Sequence, residues 1–387
     1  AAAPAVAPRT VPATGPAAPP EHALRAAAGV LNAGERVAVL AGAGALHAGD
    51  EVVAAADRLG AGIAKTVPGK SAVPDDLPFV TGPIGPMGSP PSRELMAACD
   101  TLLVVGARCL RRDFLPTQAR SVRIDIDPDS GAALIGDSRA TLAALLPLLD
   151  RRDDRRFREQ VERAVRRWWS TLAADAQDDA EPIHPQRVFG ELSARLPEHC
   201  IVTCEAGACT HWFARDVRLR RGMSAALSGA LATPGSALPY AVAAKYAQPG
   251  RPVVALLGDA AMQMSGINGL LTVAHVWREW ANPRLVVMVL SSGDLDEAGW
   301  QRRLFDDAAP PEPPVEFPYA AYAELIGLRG IRVDHPQGVG PAWAAALGSD
   351  MPTLVEMVTD PRVPPLPPHA SPEQLRTWRD AILSGTA

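Results

Sequence analysis

The segment Val253–Met264, VVALLGDAAMQM, decides how the chain is read. Five apolar residues run into Gly258-Asp259, and apolar residues then recur at helical spacing, a strand followed by a turn and a helix. A buried strand that stops on a carboxylate needs a partner for the charge, because desolvating it unpaired costs several kcal/mol. The orphan N–H groups of the following helix are one such partner, and an Asp cap there stabilises by about 1 kcal/mol. A metal or another cation is the other. Taken alone, the residues of the segment favour the cap.

The bulk composition sets outer limits. A chain of 387 residues, 47% hydrophobic and 21% charged, buries a large core and exceeds one ordinary domain, so two are expected. A net charge of −5 gives no electrostatic case for nucleic acid or an anionic membrane. No apolar run approaches the roughly 18 residues that a membrane span needs, and the start lacks the order of a signal peptide. The expectation is a cytoplasmic protein. Cys99, Cys109, Cys200, Cys204 and Cys209 are odd in number and scattered, which argues against a disulfide framework. Cys200, Cys204, Cys209 and His211 lack the second pair of a zinc site.

Outward from the opening segment, strand and helix signals alternate on both sides. EHALRAAAGVLNAG, RVAVLAGAGAL, DEVVAAADRLG, GIAKTV, DTLLVVGAR and SVRIDIDP make one series over 20–150. HPQRVFGELSARLP, CIVTC, ALPYAVAAKYA, VVALLGD, GINGLLTVAHVWREW, LVVMVLSSGD and PTLVEMVTD make another over 181–365. Such alternation implies parallel sheets covered on both faces. The fold class is therefore α/β, with two doubly wound parallel-sheet domains. Residues 1–19 are Ala/Pro-rich and read as a linker, 151–180 as a charge-rich, solvated connector that passes into a helix with apolar spacing, and 366–387 as a tail. Gly42-Ala43-Gly44-Ala45 has half of a dinucleotide fingerprint; it lacks the third glycine and the acidic residue about 20 positions on, so a tight turn explains it.

Both Gly258-Asp259 and Ser291-Ser292-Gly293-Asp294 end strands that a single crossover helix separates, which sets them side by side at a carboxyl edge. Open α/β sheets bind ligands there. A diphosphate with Mg²⁺ suits hard oxygen ligands beside a helix N-terminus. At this point the sequence resembles the thiamine diphosphate (ThDP) enzymes of the acetolactate synthase and pyruvate oxidase family. LAGAGAL, TGPIGPMG, CDTLLVVGAR and IDIDP are similar to the family's central, Rossmann-like domain. HPQRVFGELSARLP, LATPGSALPYAVAAKYA, LLGDAAMQMSGINGLLTVA and VLSSGDLDE are similar to its C-terminal domain, which binds the diphosphate and Mg²⁺.

The resemblance implies roles residue by residue. Asp259 becomes a Mg²⁺ ligand, Ser292 takes the second ligand position, and Asp294 lends its backbone carbonyl. Gly258 belongs to the same motif, Ala260 and Ala261 offer amides to the diphosphate, and Ala232 offers its carbonyl to the aminopyrimidine. Thr233 and Pro234 lie in the loop that wedges the cofactor into its bent shape. Three positions depart from the family pattern: Ala260 replaces a glycine, Ser292 an asparagine, and Pro234 a bulky apolar residue, usually Met. All three weaken the expected hold on ThDP and Mg²⁺.

The family's activating glutamate lies on an N-terminal domain that nothing in this sequence resembles. Glu205, in TCEAGAC, reads as a strand-end or loop carboxylate. The expectation is a split ThDP- and Mg-dependent decarboxylase/carboligase subunit for a small 2-oxo acid, completed by a partner chain that carries the pyrimidine-binding domain, in a homo- or hetero-oligomer. A catalytically inactive ThDP-fold scaffold or regulatory subunit is the alternative, and a fragment of a longer protein is compatible with either. Flavin stays open, since relatives with and without FAD exist and Gly42, Gly44 and Gly106 do not separate them. His47, His211 and His275 read as surface or core-edge residues. Trp212, Trp277 and Trp280 are candidate anchors for the partner surface, with ordinary core packing equally open.

Overall fold

Strands that helices cover on both faces must be apolar throughout, and Val37–Ala41 (β1) and Thr101–Val105 (β4) bury every residue. The computed structural model describes residues 18–108, 112–229, 231–293, 315–363 and 376. Two six-stranded parallel sheets carry the fold. The first adds Gly62–Lys65 (β2), Val80–Pro83 (β3), Arg120–Asp125 (β5) and Leu134–Ile135 (β6), in the order β3-β2-β1-β4-β5-β6. The second contains Ile201–Cys204 (β7), Ser224–Leu227 (β8), Val253–Gly258 (β9), Leu285–Ser291 (β10), Arg329–Val333 (β11) and Thr353–Val358 (β12), in the order β11-β12-β10-β9-β7-β8. The strand order reverses between β1 and β4 in the first sheet and between β7 and β9 in the second.

Flanking helices follow the local stop and start signals. Helix α1 (Glu21–Asn32) opens after Pro20, and α2 (Gly49–Leu59) ends on Gly60 at φ +61°, the left-handed conformation that glycine accepts without strain. Ser89 and Asp137 accept from the first-turn amides of α3 (Pro90–Ala98) and α4 (Ser138–Leu145). At the reversal point of the first sheet the loops after β1 and β4 close on each other: a Cβ on Gly42 would lie 2.3 Å from the Gly106 carbonyl oxygen and 2.4 Å from the Ala107 Cα. Neither neighbour is a side chain that can swing away. Gly42→Ala is therefore expected to destabilise by about 1–3 kcal/mol, read as a lower urea midpoint at unchanged slope.

The charge-rich connector differs from the solvated spacer expected of it. Helix α5 (Arg156–Asp175) buries Val161 and Val165 against Leu95 and Met96. Arg158 is buried as well, its guanidinium 3.7 Å from the Phe79 ring centroid and donating to the Ala56 carbonyl. Desolvation pulls Arg158 down to about 10. The apolar spacing read in the sequence is the stripe that packs, and the charges of the run do not keep that face in solvent. Beyond it come α6 (Pro185–Arg195), α7 (Ala208–Asp216) and α8 (Ala237–Ala247). Next is α9 (Asp259–Ala261), which runs through a π turn (Met262–Gly266) into α10 (Ile267–Val276). Helices α11 (Tyr319–Leu325) and α12 (Val339–Leu347) complete the second layer.

A buried charge cluster joins the two halves. Asp75 Oδ1 lies 2.6 Å from Lys65 Nζ and its Oδ2 3.1 Å from Lys70 Nζ, all three side chains sealed from solvent. Lys70 also donates to the Ala214 carbonyl at the end of α7. The Leu219 amide donates to Asp75 Oδ2, and the Asp75 amide returns a bond to the Leu219 carbonyl.

Of the three tryptophans for which a partner anchor and core packing stood equally open, Trp212 and Trp280 are buried in the core, and Trp277 packs partly buried beside the latter's cluster. His211 is buried, whereas His47 and His275 are exposed. Cys99, Cys200, Cys204 and Cys209 are free and buried; Cys109 lies outside the described residues. No helix among the described residues is long and apolar enough to cross a membrane.

Candidate functional site

The carboxyl edges of the two sheets face each other across a cavity of about 590 Å³. The loops after β2, β3 and β4 supply Val67, Pro68, Ile84, Met87, Arg108 and Phe114, a mostly apolar wall. Loops after β7, β8, β9 and β10 supply a more polar one, with Glu205, Ser228, Asp259 and Ser292. The volume falls in the range of small-molecule sites. Ala232, Pro234, Gly258, Asp259, Ala260, Ala261 and Ser292 all line it. Thr233 does not, its hydroxyl accepting from Ser228 3.1 Å away. Asp294 lies outside the described residues.

Asp259 stands where β9 passes into α9, 6% exposed. Its Oδ1 accepts from the Ala260 amide at 2.8 Å; its Oδ2 accepts from the amides of Ser292 at 3.1 Å and Gly293 at 2.9 Å. The carboxylate thus ties the end of β9 to the loop after β10. Burial pushes its titration up, against the pull of these amides. An ionised carboxylate offers roughly four acceptor positions, and the three bonds made by the described residues leave one, on Oδ1. Asp259 therefore satisfies amides as a cap does, yet across two loops, and keeps room for a cation.

The expected roles of the neighbouring amides divide. The Ala260 amide is committed to Asp259. First-turn amides such as that of Ala261 have no intrahelical acceptor and face an anion favourably. Behind the site, Gln263 in the π turn donates to the Tyr319 hydroxyl at 2.8 Å, which donates to the Asp259 carbonyl at 3.2 Å. Burial pushes the Tyr319 phenol up to about 12, so it stays a donor. π turns recur at functional sites.

The loop before α8 is held in an unusual shape. Ala232 adopts φ +47°, a left-handed conformation that few non-glycine residues take. Gly235, at φ +74°, leaves no room for a side chain, since a Cβ would lie 1.9 Å from Ser265 Oγ. This loop stands against the π turn across from Glu205. That residue, read from sequence as a strand-end carboxylate, is 3% exposed and lines the same cavity as Asp259. It accepts from the Gly258 and Gly235 amides. Nothing local signals this, because Glu205 and Gly258 meet only once β7 and β9 pair.

Chemically, the polar wall suits an anionic group at a helix start with a hard cation beside it. No cluster of three or more His, Cys, Asp or Glu side chains that could hold a metal occurs among the described residues. A divalent ion here would rest on the one Asp259 position together with hydroxyl, carbonyl and ligand oxygens, as Mg²⁺ does when it shares its shell with phosphates.

Comparison with known proteins agrees with this geometry. Residues 24–145 match the thiamine pyrophosphate enzyme central domain, and residues 205–357 match the thiamine pyrophosphate enzyme C-terminal TPP binding domain. A putative thiamine pyrophosphate-containing protein of Bacillus subtilis is 29% identical over 356 residues, covering 90% of this chain and 61% of that protein. The acetolactate synthase isozyme 2 large subunit of Escherichia coli is 29% identical over 321 residues, 78% of this chain and 56% of its own length. The sulfoacetaldehyde acetyltransferase of Castellaniella defragrans is 24% identical over 346 residues, 77% and 55%. The chain thus spans somewhat over half the length of these relatives.

Proposed function

Since the chain belongs to the thiamine pyrophosphate enzyme family, we propose that it holds the diphosphate end of ThDP with Mg²⁺ in a decarboxylase/carboligase acting on small 2-oxo acids. The pyrimidine end and its activating glutamate then come from residues outside this sequence, on a partner chain or a further domain. Bound there, ThDP supplies an electron sink for decarboxylation. The chain's own residues bind and orient: Asp259 and the Ser292 hydroxyl hold the cation, the Ala261 amide faces the diphosphate, and Ala232 and Pro234 form the wall at the pyrimidine side. Val67, Ile84, Met87 and Phe114 keep water from the reacting end. The observation that carries the reading is Asp259, fixed by three amides at the start of a helix with one acceptor position left over.

A partner over the cavity mouth is supported by apolar exposure: Leu231 is 85% and Met264 70% exposed. Side chains of that kind in a cluster mark an interaction surface. Calorimetry with ThDP and Mg²⁺, and CO₂ release from pyruvate once the completing chain is added, test the function. Absence of both would sink it.

The second reading is a scaffold or regulatory subunit that keeps the fold without catalysis. The committed Ala260 amide and the short Ser292 side chain favour it. Micromolar Mg²⁺-dependent ThDP binding excludes it. Under the catalytic reading Ser292→Asn, which offers a longer amide oxygen to the ion, is expected to tighten Mg²⁺-dependent ThDP binding roughly tenfold; an unchanged or weaker affinity counts against Ser292 as a ligand.

A further inference from the structure

The parallel ladder between β7 and β9 runs from Ile201 opposite Val253 to Cys204 opposite Leu256. Its last bond is the Glu205 amide to the Leu256 carbonyl, 3.2 Å. Leu256 and Gly258 share a parity, so the Gly258 N–H also points toward β7. There the backbone has already turned through Gly207 into α7. A buried amide left without an acceptor costs about 1–3 kcal/mol. Glu205 supplies the missing acceptor from its side chain: Oε1 takes the Gly258 amide. The other oxygen, Oε2, takes the Gly235 amide 3.4 Å away, on the left-handed turn that carries Pro234.

We infer that Glu205 is a positioning residue for the cofactor site. Its carboxylate fixes the distance between the two halves of the polar wall, the Ala232–Gly235 loop on one side and Gly258-Asp259 on the other. Three observations converge on this. The side chain is sealed within the wall. A Cβ on Gly258 would lie 3.1 Å from Oε1, so glycine there lets the carboxylate approach. The Gly235 turn is itself wedged against Ser265 and the Ala261 carbonyl, so its amide end is the side that needs holding. Without the tie, the loop that shapes the pyrimidine side would move independently of the residue that holds the ion. The cofactor half of the inference rests on the ThDP reading above; the tie itself does not.

The test uses the full chain and two variants. Glu205→Gln keeps the size but presents an NH₂ group to one of two N–H donors. Glu205→Asp keeps the charge and is about 1.5 Å shorter, so it reaches one amide only. Hydrogen exchange read by mass spectrometry on peptides covering 231–237 and 256–260 is expected to speed up in both for Glu205→Gln, roughly tenfold where the NH₂ group meets the amide and less where a neutral oxygen replaces the charged acceptor. For Glu205→Asp the acceleration is confined to 231–237, with 256–260 still protected. A purely structural loss would loosen both segments together in both variants. Calorimetry with ThDP and Mg²⁺ is expected to show affinity falling roughly ten- to a hundredfold in each variant. Unchanged exchange in 231–237 overturns the tie, and unchanged ThDP affinity beside a wild type that binds overturns its positioning role. A wild type that binds no ThDP sinks the proposed function and the cofactor half with it, while the exchange pattern still decides the tie. Were Glu205→Gln not to fold, the split pattern of Glu205→Asp alone gives the same decision.

Discussion

Asp75→Asn is expected to lower the unfolding free energy by about 3–5 kcal/mol, the loss typical when one partner of a buried charge cluster is removed. The carboxylate sits between two sealed ammonium groups, 2.6 Å from one and 3.1 Å from the other. Asparagine keeps the volume but leaves both ammoniums without a counter-charge and turns a donor group toward one of them. Lys65→Met is the informative contrast. It leaves Lys70 and Asp75 as a one-to-one pair, so its loss is expected to be smaller. Urea denaturation followed by tryptophan fluorescence measures both, and a loss under about 1 kcal/mol for Asp75→Asn would mean that water reaches the cluster.

The same cluster sets a pH dependence. Burial pulls Lys65 down to about 8 from an ordinary 10.5, with Asp75 acting in the opposite direction. Burial raises the Asp75 carboxyl, and the two lysines more than offset that, so it titrates below the usual range. For Lys65 the unfolded chain binds more protons than the folded one between about 8 and 10.5. Its contribution to stability therefore rises with pH across that window and is least favourable below it.

Asp259 variants are expected to have the largest effect on binding. Asp259→Ala removes the acceptor for three amides and the carboxylate positioned for the ion among the described residues that end β9 and β10, so Mg²⁺-dependent ThDP affinity is expected to fall by more than the ten- to hundredfold seen when an outer-shell partner is lost. Asp259→Asn separates the two functions of the side chain. Its carbonyl oxygen still accepts from the loop after β10, so exchange protection at Ser292 and Gly293 is largely retained while ion-dependent binding is lost. Calorimetry with and without Mg²⁺ reads the difference. Equal ThDP affinity in wild type and Asp259→Asn would remove Asp259 from the metal site.

Among the described residues, eight of the twelve strands are legible in the sequence, and the four that are not, β3, β6, β8 and β11, are the four sheet edges. Most interior strands are covered on both faces and spell apolar runs such as VVALLG and LVVMVL, whereas β5, RSVRID, is read from the alternation of its apolar residues. The edges carry Gly and Pro in VTGP, small residues in SAAL, and charge in RGIRV, or have two residues only. The site divides along the same line. Asp259 and Ser292 end interior strands that are neighbours in chain and sheet alike, so their pairing can be read. Glu205 reaches the cavity from the far side of the strand-order reversal, which no local pattern records. The Ala260 amide was legible as a donor, but its commitment to Asp259 depends on a side-chain rotamer. In the connector helix the apolar spacing is legible, but the burial of Arg158 within it is not, since seven other arginines and acids of the helix lie off that face.

The cavity wall is divided between two halves of the chain, with Val67, Met87 and Phe114 on one side and Asp259 and Ser292 on the other. A ligand that touches both sides therefore acts as mortar between them. Without it, the halves can melt in separate steps once the Asp75 cluster gives way; with it, their transitions are drawn together and the first shifts upward by mass action. Calorimetric melting of Asp75→Asn with and without ligand would display occupancy of the cavity as the merging of two peaks into one.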